Sequence, residues 1–459
     1  MIRTLKSRVA VWSALSLLPL AAAVAPVQAA QGDVHEHTLA NGMKIVVQED
    51  HRAPTVASMV WYRAGSMDEK SGATGVAHVL EHMMFKGTRK NPGDTFSRTI
   101  AAAGGKENAF TNKDYTAYFQ QLHKSQLPLA LSLEADRMQN LVLSAEEFAK
   151  EIRVVMEERR TRTDDQPRSL LYEQLMAAAY TGSPYKWPII GWMNDLENMT
   201  VEDARLWYDT WYAPNNAMLV VVGDVTPSEV FDVAEQTFGP IPAKALPPRK
   251  PQIEPPQRGM RRLTVKAPAE LPYVMMGWHA PVLRDVANDW EPYALAMLVG
   301  VLDGSAAARL DRTLVREKRM AVSAGASYDS VNRGPGMFLL DGVPAPGTSV
   351  ADLEAALKRE VQRVVDEGVS DEELVRVKAQ VIAQQVYQRD SMFYQAMQMG
   401  VLHTSGLPYD SDALQVAKLR AITADQIRDV ARRYLVDDSL TVAVLEPQSL
   451  DQKTAAEAR

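Results

Sequence analysis

The chain has 459 residues, of which 46% are hydrophobic and 23% charged, and its formal net charge is −7 at pH 7. This length exceeds one ordinary core and predicts two domains of roughly 200 residues each. The negative charge argues against a nucleic-acid binder. The absence of cysteine excludes disulfides, a thiol nucleophile and sulfur-bound metal, so any metal site must use His, Asp or Glu.

The first 29 residues have the pattern of a secretory signal peptide. Three basic residues precede an apolar stretch from residue 9 to residue 25, and Val27 and Ala29 occupy the −3 and −1 positions of a cleavage site. An uncleaved anchor is the alternative, but polar residues and a proline interrupt an apolar run that is short for a hydrocarbon core of about 30 Å. We therefore predict a cleaved leader over 1–29, no stable membrane insertion, and export, most simply to a bacterial periplasm.

A helix with metal-binding spacing is predicted around His78. Thr74 can act as its N-cap and Gly87 as its C-terminal stop. His78 and His82 are four residues apart, which places both imidazoles on one face, where they can reach the same ion. Glu81 lies beside them, where its carboxylate can touch a water on that ion and act as general base. A catalytic zinc centre still needs a third protein ligand.

The third ligand is expected from a second helix, which a capping box opens at Ser144. Glu151 and Glu158 are seven residues apart and share one face of this helix, whereas Glu157 points about 100° away from Glu158. Spacing alone leaves the choice between Glu157 and Glu158 open. The basic run at 159–162 is interpreted as the solvated end of the helix rather than as a phosphate site.

A proline-rich linker divides the rest of the chain into halves of similar length. Proline at this density excludes a helix or a central strand and favours an extended spacer. The prolines are Pro240, Pro242, Pro247, Pro248, Pro251, Pro255 and Pro256.

The two halves resemble each other. Residues 200–222 align without gaps on residues 423–445, and each segment reads as a Thr-capped helix, a polar turn and an apolar strand. Strands predicted at 56–61 and 273–278 also correspond. The sequence therefore predicts a duplicated α+β domain, each copy an antiparallel sheet with helices packed on one face.

These segments carry a family resemblance. His78-Val79-Leu80-Glu81-His82 is the inverted zincin signature His-x-x-Glu-His, and the mature chain resembles the M16 peptidases, in the branch of mitochondrial processing peptidase and its bacterial relatives. Further similar segments lie at 104–111, 135–138, 183–191 and 211–216. The family's Glu-x6-Glu element matches Glu151 and Glu158. The resemblance therefore implies Glu158 as third ligand of one Zn²⁺ per chain, with Glu151 as a supporting acid.

The resemblance also implies a substrate-binding edge. By residue pattern alone, Asn108-Ala109-Phe110-Thr111 is a strand that begins after glycine. In the family, an extended peptide adds to such an edge as a further strand, and its backbone hydrogen bonds give sequence-tolerant affinity. The resemblance thus assigns substrate binding to Asn108, Ala109 and Phe110.

One feature departs from the family pattern. Active members grip the substrate carbonyl with an Arg and a Tyr, seven positions apart, from a C-terminal-type half. Here Arg316 is present, but Ser323 stands where Tyr is expected, and Tyr328 has an odd offset that places it on the opposite face of a strand. The second half also lacks a His motif. We therefore expect the zinc-bearing subunit of a dimer, whose homologous partner supplies the Arg/Tyr pair, or else a homodimer.

Together these expectations describe a periplasmic zinc metalloendopeptidase that cleaves peptides or unfolded protein segments, with Glu81 as general base. Its predicted parts are a zinc-bearing N-terminal domain at 30–245, a linker at 246–258 and an inactive homologous C-terminal domain at 259–459. The alternative is a non-catalytic scaffold or interaction subunit of the same family. Such scaffolds typically lose the metal motif, which is intact here.

Overall fold

The computed structural model describes residues 33–449, which form two α+β domains, each built on one sheet. The predicted signal peptide lies outside the described residues. The strands are β1 (Val34–Thr38), β2 (Lys44–Glu49), β3 (Thr55–Tyr62), β4 (Lys106–Thr111), β5 (Thr116–His123) and β6 (Ala217–Gly223) in the first domain, and β7 (Arg261–Pro268), β8 (Tyr273–Ala280), β9 (Ala321–Tyr328), β10 (Gly336–Pro344) and β11 (Leu440–Gln448) in the second.

Helices pack around both sheets. They are α1 (Val76–Met83), α2 (Thr95–Ala102), α3 (Leu127–Asn140), α4 (Ala145–Arg159), α5 (Pro167–Ala179), α6 (Met193–Asn198), α7 (Val201–Trp211), α8 (Pro227–Thr237), α9 (Glu291–Leu302), α10 (Val350–Glu367), α11 (Asp371–Gln388), α12 (Met392–Thr404), α13 (Asp412–Ala421) and α14 (Ala424–Tyr434). A π-helical turn (Arg160–Asp164) continues α4. None of the helices between residues 33 and 449 has the length and apolar character that crossing a membrane requires.

The sheets repeat one strand order. The first runs β1-β2-β6-β3-β5-β4 and the second β7-β11-β8-β10-β9, so the two orders correspond once β1 is set aside. Capping boxes at Thr200 and Thr423 open the equivalent helices α7 and α14. These features confirm the predicted duplicated α+β fold.

Each sheet is mixed rather than wholly antiparallel, because β2–β6 and β7–β11 are parallel pairs. Both pairs join strands that are more than 170 residues apart. Hydrophobic alternation along one strand carries no information about the direction of such a distant neighbour.

Helices cover both faces of each sheet, and one face is covered by a helix from the other half. Leu171 and Leu175 of α5 pack against Tyr273 and Met275 of the second sheet. Helix α12 packs in the same way on the first sheet, around Trp61. The prediction of helices on one face therefore described only half of the packing, since the second layer comes from a distant part of the chain.

The residues between the domains, 242–260, contain neither helix nor strand, as proline predicts. The Glu254 carboxylate accepts hydrogen bonds from three successive backbone N–H groups at 181–183. Arg249 forms an ion pair with Asp68 at 3.0 Å. The linker is thus bound along the surface of the first domain. Its predicted boundaries at 246 and 258 stay a prediction.

Candidate functional site

Helices α1 and α4 bring three potential metal ligands together. The Nε2 atoms of His78 and His82 lie 3.8 and 3.3 Å from Oε2 of Glu158. One ligand atom from each of these residues lies within 4.8 Å of the other two. Glu157, in contrast, is 64% exposed at its side chain and pairs with Arg160. Of the two acids that spacing left open, Glu158 is the one beside the imidazoles.

This donor set fits a zinc ion. Ligand atoms at about 2.0–2.1 Å from a tetrahedral ion lie about 3.4 Å apart, close to the separations found between the Glu158 carboxylate and the two imidazoles. Two histidines and one glutamate also leave a fourth position open. Burial, and then the neighbouring His82, lowers the pKa of His78 to about 3, so this imidazole is neutral, the form that binds metal.

Further side chains orient these groups. Oε2 of Glu151 lies 3.3 Å from Nδ1 of His82, and Oε1 of the same carboxylate pairs with Nζ of Lys86 at 2.6 Å. Oε1 of Glu158 pairs with Nη1 of Arg162 at 2.5 Å, which leaves Oε2 facing the imidazoles. Such partners fix the orientation of metal ligands and tune their basicity. Glu151 is therefore placed where a supporting acid is needed.

Glu81 lies between the imidazole pair and strand β4. Thr111, the last residue of β4, donates its hydroxyl hydrogen to Oε2 of Glu81 at 2.5 Å. Burial raises the pKa of the Glu81 carboxyl. A raised pKa makes this carboxylate a stronger base than an exposed glutamate, and the Thr111 bond holds it in one orientation.

The N-terminus of α1 is capped differently from the prediction. The carboxylate of Glu69, which is buried, accepts hydrogen bonds from the backbone N–H groups of Gly75 and Ala77 at 2.8 and 2.9 Å. Thr74 donates its hydroxyl to Asp195 instead, at 2.6 Å. The predicted Thr74 cap is wrong because a buried acid from outside the helix satisfies these donors.

A cavity of about 880 Å³ opens in front of the three donors, between the two domains. Strand β4 forms one wall, and within residues 33–449 it pairs only with β5, so its other edge is free. Helix α5 and Met275 of β8 form the opposite wall. The predicted edge residues lie in this cavity; they are Asn108, Ala109 and Phe110.

Family models match both halves of the chain. The model described as Insulinase (Peptidase family M16) matches residues 44–191, which contain all three donors and Glu81. The model described as Peptidase M16 inactive domain matches residues 198–381. The chain belongs to peptidase family M16.

Relatives of this M16 protein are named zinc proteases. Zinc protease PqqE from Helicobacter pylori is 32% identical over 347 residues, which cover 74% of this chain and 77% of the relative. The uncharacterized zinc protease YmxG from Bacillus subtilis is 26% identical over 414 residues, covering 90% and 98%. The crystal structure of a protease from Helicobacter pylori superposes with a TM-score of 0.85 at 28% identity, covering 91% of this chain and all of that one.

Arg316 does not reach the cavity of its own chain. It lies in a π-helical turn (Asp311–Glu317), its side chain is 61% exposed, and its Nε atom pairs with Asp311 at 2.8 Å. It is not among the residues that line the cavity. The predicted contact of Arg316 with a substrate at the metal centre of its own chain is therefore not seen in this structure.

Ser323 is exposed on β9, the edge strand of the second sheet. Tyr328 does not compensate for the missing tyrosine. Its hydroxyl donates to the backbone carbonyl of Pro281, and its ring stacks on Phe338 in the core of the second domain. Neither position therefore offers a tyrosine hydroxyl to a substrate carbonyl. Residue 323 is a serine, and the hydroxyl of Tyr328 is bonded within the second domain.

The interpretation of the basic run at 159–162 as a solvated helix end is wrong for one of its residues, Arg159. Arg159 is 5% exposed at its side chain and forms a bidentate pair with Glu173 at 2.8 and 3.0 Å. Arg160 and Arg162 are 48% and 74% exposed at their side chains, as predicted, although Arg162 in the π-helical turn also pairs with Glu158. The sequence could have indicated the contact between Arg162 and Glu158, because the two residues are four positions apart, the spacing of an ion pair on a helix.

Proposed function

We propose that this chain is a zinc-dependent endopeptidase, exported to a periplasm, that cleaves peptides or unfolded segments of proteins. His78, His82 and Glu158 would hold the ion. One observation carries the proposal: three zinc-type donors from two helices converge beside a buried carboxylate and an unpaired sheet edge. A scaffold subunit has no need for any of these features.

The substrate binds along β4 as an additional antiparallel or parallel strand. The backbone N–H of Ala109 donates to the side-chain oxygen of Asn108 at 2.9 Å, a bond that an incoming peptide carbonyl can replace. Backbone pairing of this kind is tolerant of sequence. It would bring an extended peptide past Thr111 to the front of Glu81.

Glu81 performs the proton transfers. When bound, a zinc ion acts as a Lewis acid that activates water and polarises a carbonyl near neutral pH. Oε2 of Glu81 is held by Thr111, so Oε1 takes the proton from the attacking water and delivers it to the leaving nitrogen. His78, His82 and Glu158 keep the ion in place, while Glu151 orients His82.

The charge that develops on the carbonyl oxygen requires donors from elsewhere. Arg316 is exposed and lies outside the cavity, and no tyrosine stands at 323. We propose that a second M16 chain supplies this group, either a homologous subunit with the Arg/Tyr pair or a second copy. Full peptidase activity of the isolated monomer would contradict this part of the proposal.

The test is Glu81→Gln. This substitution keeps the shape of the side chain but removes the base, so we expect zinc content per chain to stay unchanged and kcat to fall by about 10²- to 10⁴-fold. Zinc is measured by elemental analysis, and turnover by a quenched fluorescent peptide, with the chain alone and with a homologous subunit. Glu157→Gln is the matched control: Glu157 is next to Glu158 in sequence but exposed on another side of the helix, so this variant should retain activity.

Two outcomes would contradict the proposal. Retained hydrolysis in Glu81→Gln would remove Glu81 from the role of base. A folded wild-type protein that binds no zinc would remove the metal centre altogether.

A further inference from the structure

The cavity wall carries more cationic than anionic side chains. The cationic side chains are Lys113, Arg162, Arg168 and Lys186, and the anionic ones are Glu81, Glu158 and Glu173. A zinc ion at the three donors adds two further positive charges. The cavity that receives the substrate is therefore positive overall.

The anions of the wall already have partners. Glu173 forms its bidentate pair with the buried Arg159. Glu158 faces the imidazoles with one oxygen and Arg162 with the other, and Glu81 accepts the Thr111 hydroxyl. Glu173 and Glu158 are thus paired with cations of the protein, and the free oxygen of Glu81 is assigned to the proton transfers proposed above.

Arg168 is the cation with free donors. It is exposed on the first turn of α5, and among the described residues its guanidinium has no ion pair and no hydrogen bond. The guanidinium lies over the Tyr273 ring, 4.7 Å from its centroid. Asp341, an acid that attracts it, is itself bonded to the Tyr273 hydroxyl at 2.6 Å.

The position of Arg168 directs it toward the substrate. Arg168, Tyr172 and Met176 follow one another at intervals of four residues, and all three line the cavity opposite β4. This face of α5 and the edge on which the peptide is proposed to lie therefore border the same cavity. Side chains of an added peptide strand point alternately to the two faces of the sheet, and those on the face turned toward α5 would meet it.

We propose that the cavity selects substrates with an acidic side chain close to the bond that is cut, and that Arg168 binds this carboxylate. A guanidinium with free N–H groups binds a carboxylate with two parallel hydrogen bonds. A cleft lined by one sign of charge raises the local concentration of the opposite sign and repels its own. The proposal rests on the proposed function, since it names the substrate class of the same site.

The experiment measures binding separately from cleavage. Three peptides with acetylated and amidated ends differ only at two positions flanking one bond, which carry Glu, Gln or Lys. The capped ends ensure that only side chains carry charge. Their affinities for the zinc-loaded Glu81→Gln protein are measured by fluorescence anisotropy, so that binding is observed without turnover.

We expect the Glu peptide to bind about tenfold more tightly than the Lys peptide, with the Gln peptide in between. The ratio should decrease as salt concentration rises. Adding Arg168→Glu should abolish or reverse the preference, and Arg168→Gln should reduce it. Arg160→Glu makes the same charge change on an exposed arginine outside the cavity and should leave the ratio unchanged. Melting temperatures establish that each variant is folded.

Equal affinity for the three peptides, tighter binding of the Lys peptide, or an unchanged ratio in both Arg168 variants overturns the inference. Hydrolysis of the Gln peptide by the wild-type protein reports on the proposed function independently. The affinity and hydrolysis measurements together therefore distinguish two cases. One is a peptidase that has no preference for acidic peptides, and the other is a protein that binds acidic peptides without hydrolysing them.

Discussion

The two oxygens of Glu158 have different tasks. Oε2 faces His78 and His82, while Oε1 pairs with Arg162 at 2.5 Å. An unpaired carboxylate can rotate and present either oxygen. The Arg162 guanidinium restricts this freedom by holding one of the two oxygens.

Arg162→Gln should therefore weaken zinc binding by about 10- to 100-fold, because the ligand loses the partner that orients it. The measurement is competition with a chromogenic chelator at fixed pH. Arg160→Gln is the matched control, since Arg160 pairs with Glu157 on the same turn but outside the site. Equal zinc affinities of the two variants would show that Arg162 does not position Glu158.

Strand β4 is the edge strand of the first sheet that lines the cavity. Its inner edge pairs with β5 along its whole length, while its outer edge has no strand partner among residues 33–449 and lies in the cavity. Free edges invite unwanted strand pairing. Here the edge lies within a cavity between two domains, and this position limits access to a single extended chain.

Ala109→Pro should weaken peptide binding by about 3- to 10-fold and leave zinc affinity unchanged. Proline is tolerated on an edge strand but removes the N–H donor, and one lost hydrogen bond costs about 0.5–1.5 kcal/mol. Binding is measured on the zinc-loaded Glu81→Gln background. Ala109→Val keeps the donor and should bind peptide as the parent does. If both variants bound peptide equally, the peptide would not pair with β4 at this residue.

At the scale of the whole molecule, the domains are joined by exchanged helices. Helix α5 of the first half covers the second sheet, and α12 of the second half covers the first sheet. Gly400 permits the closer of these contacts, since a Cβ atom there would lie 1.9 Å from the Trp61 ring. Because α5 also forms a wall of the cavity, this packing sets the distance between α5 and β4.

Gly400→Ala should lower the free energy of unfolding by about 1–3 kcal/mol, the usual cost of overpacking a core. The measurement is chemical denaturation followed by tryptophan fluorescence. Gly104→Asn is the control: no atom lies within 4 Å of its Cβ position, and asparagine tolerates the φ of +73° found there. A Gly400→Ala protein as stable as the wild type would mean that α12 can move away from Trp61 at no cost.

Much of the fold and the centre of the site could be predicted from sequence, because both depend on local spacing. Two histidines four positions apart lie on one face of any α-helix, and a Thr-capped helix followed by an apolar strand is recognisable wherever it recurs. The duplicated α+β fold and its family followed from such patterns. The pairing of His78 with His82 is decided within a single turn.

Residue spacing did not decide which distant groups meet that turn: the family resemblance implied Glu158, and only the tertiary structure decided the other contacts. Glu158 rather than Glu157 lies beside the imidazoles, Glu69 rather than Thr74 caps α1, and Arg162 turns back toward the ligand. Each of these contacts depends on how one helix is rotated against another element. That rotation is set by the packing of two whole cores, which periodicity along a single segment does not describe.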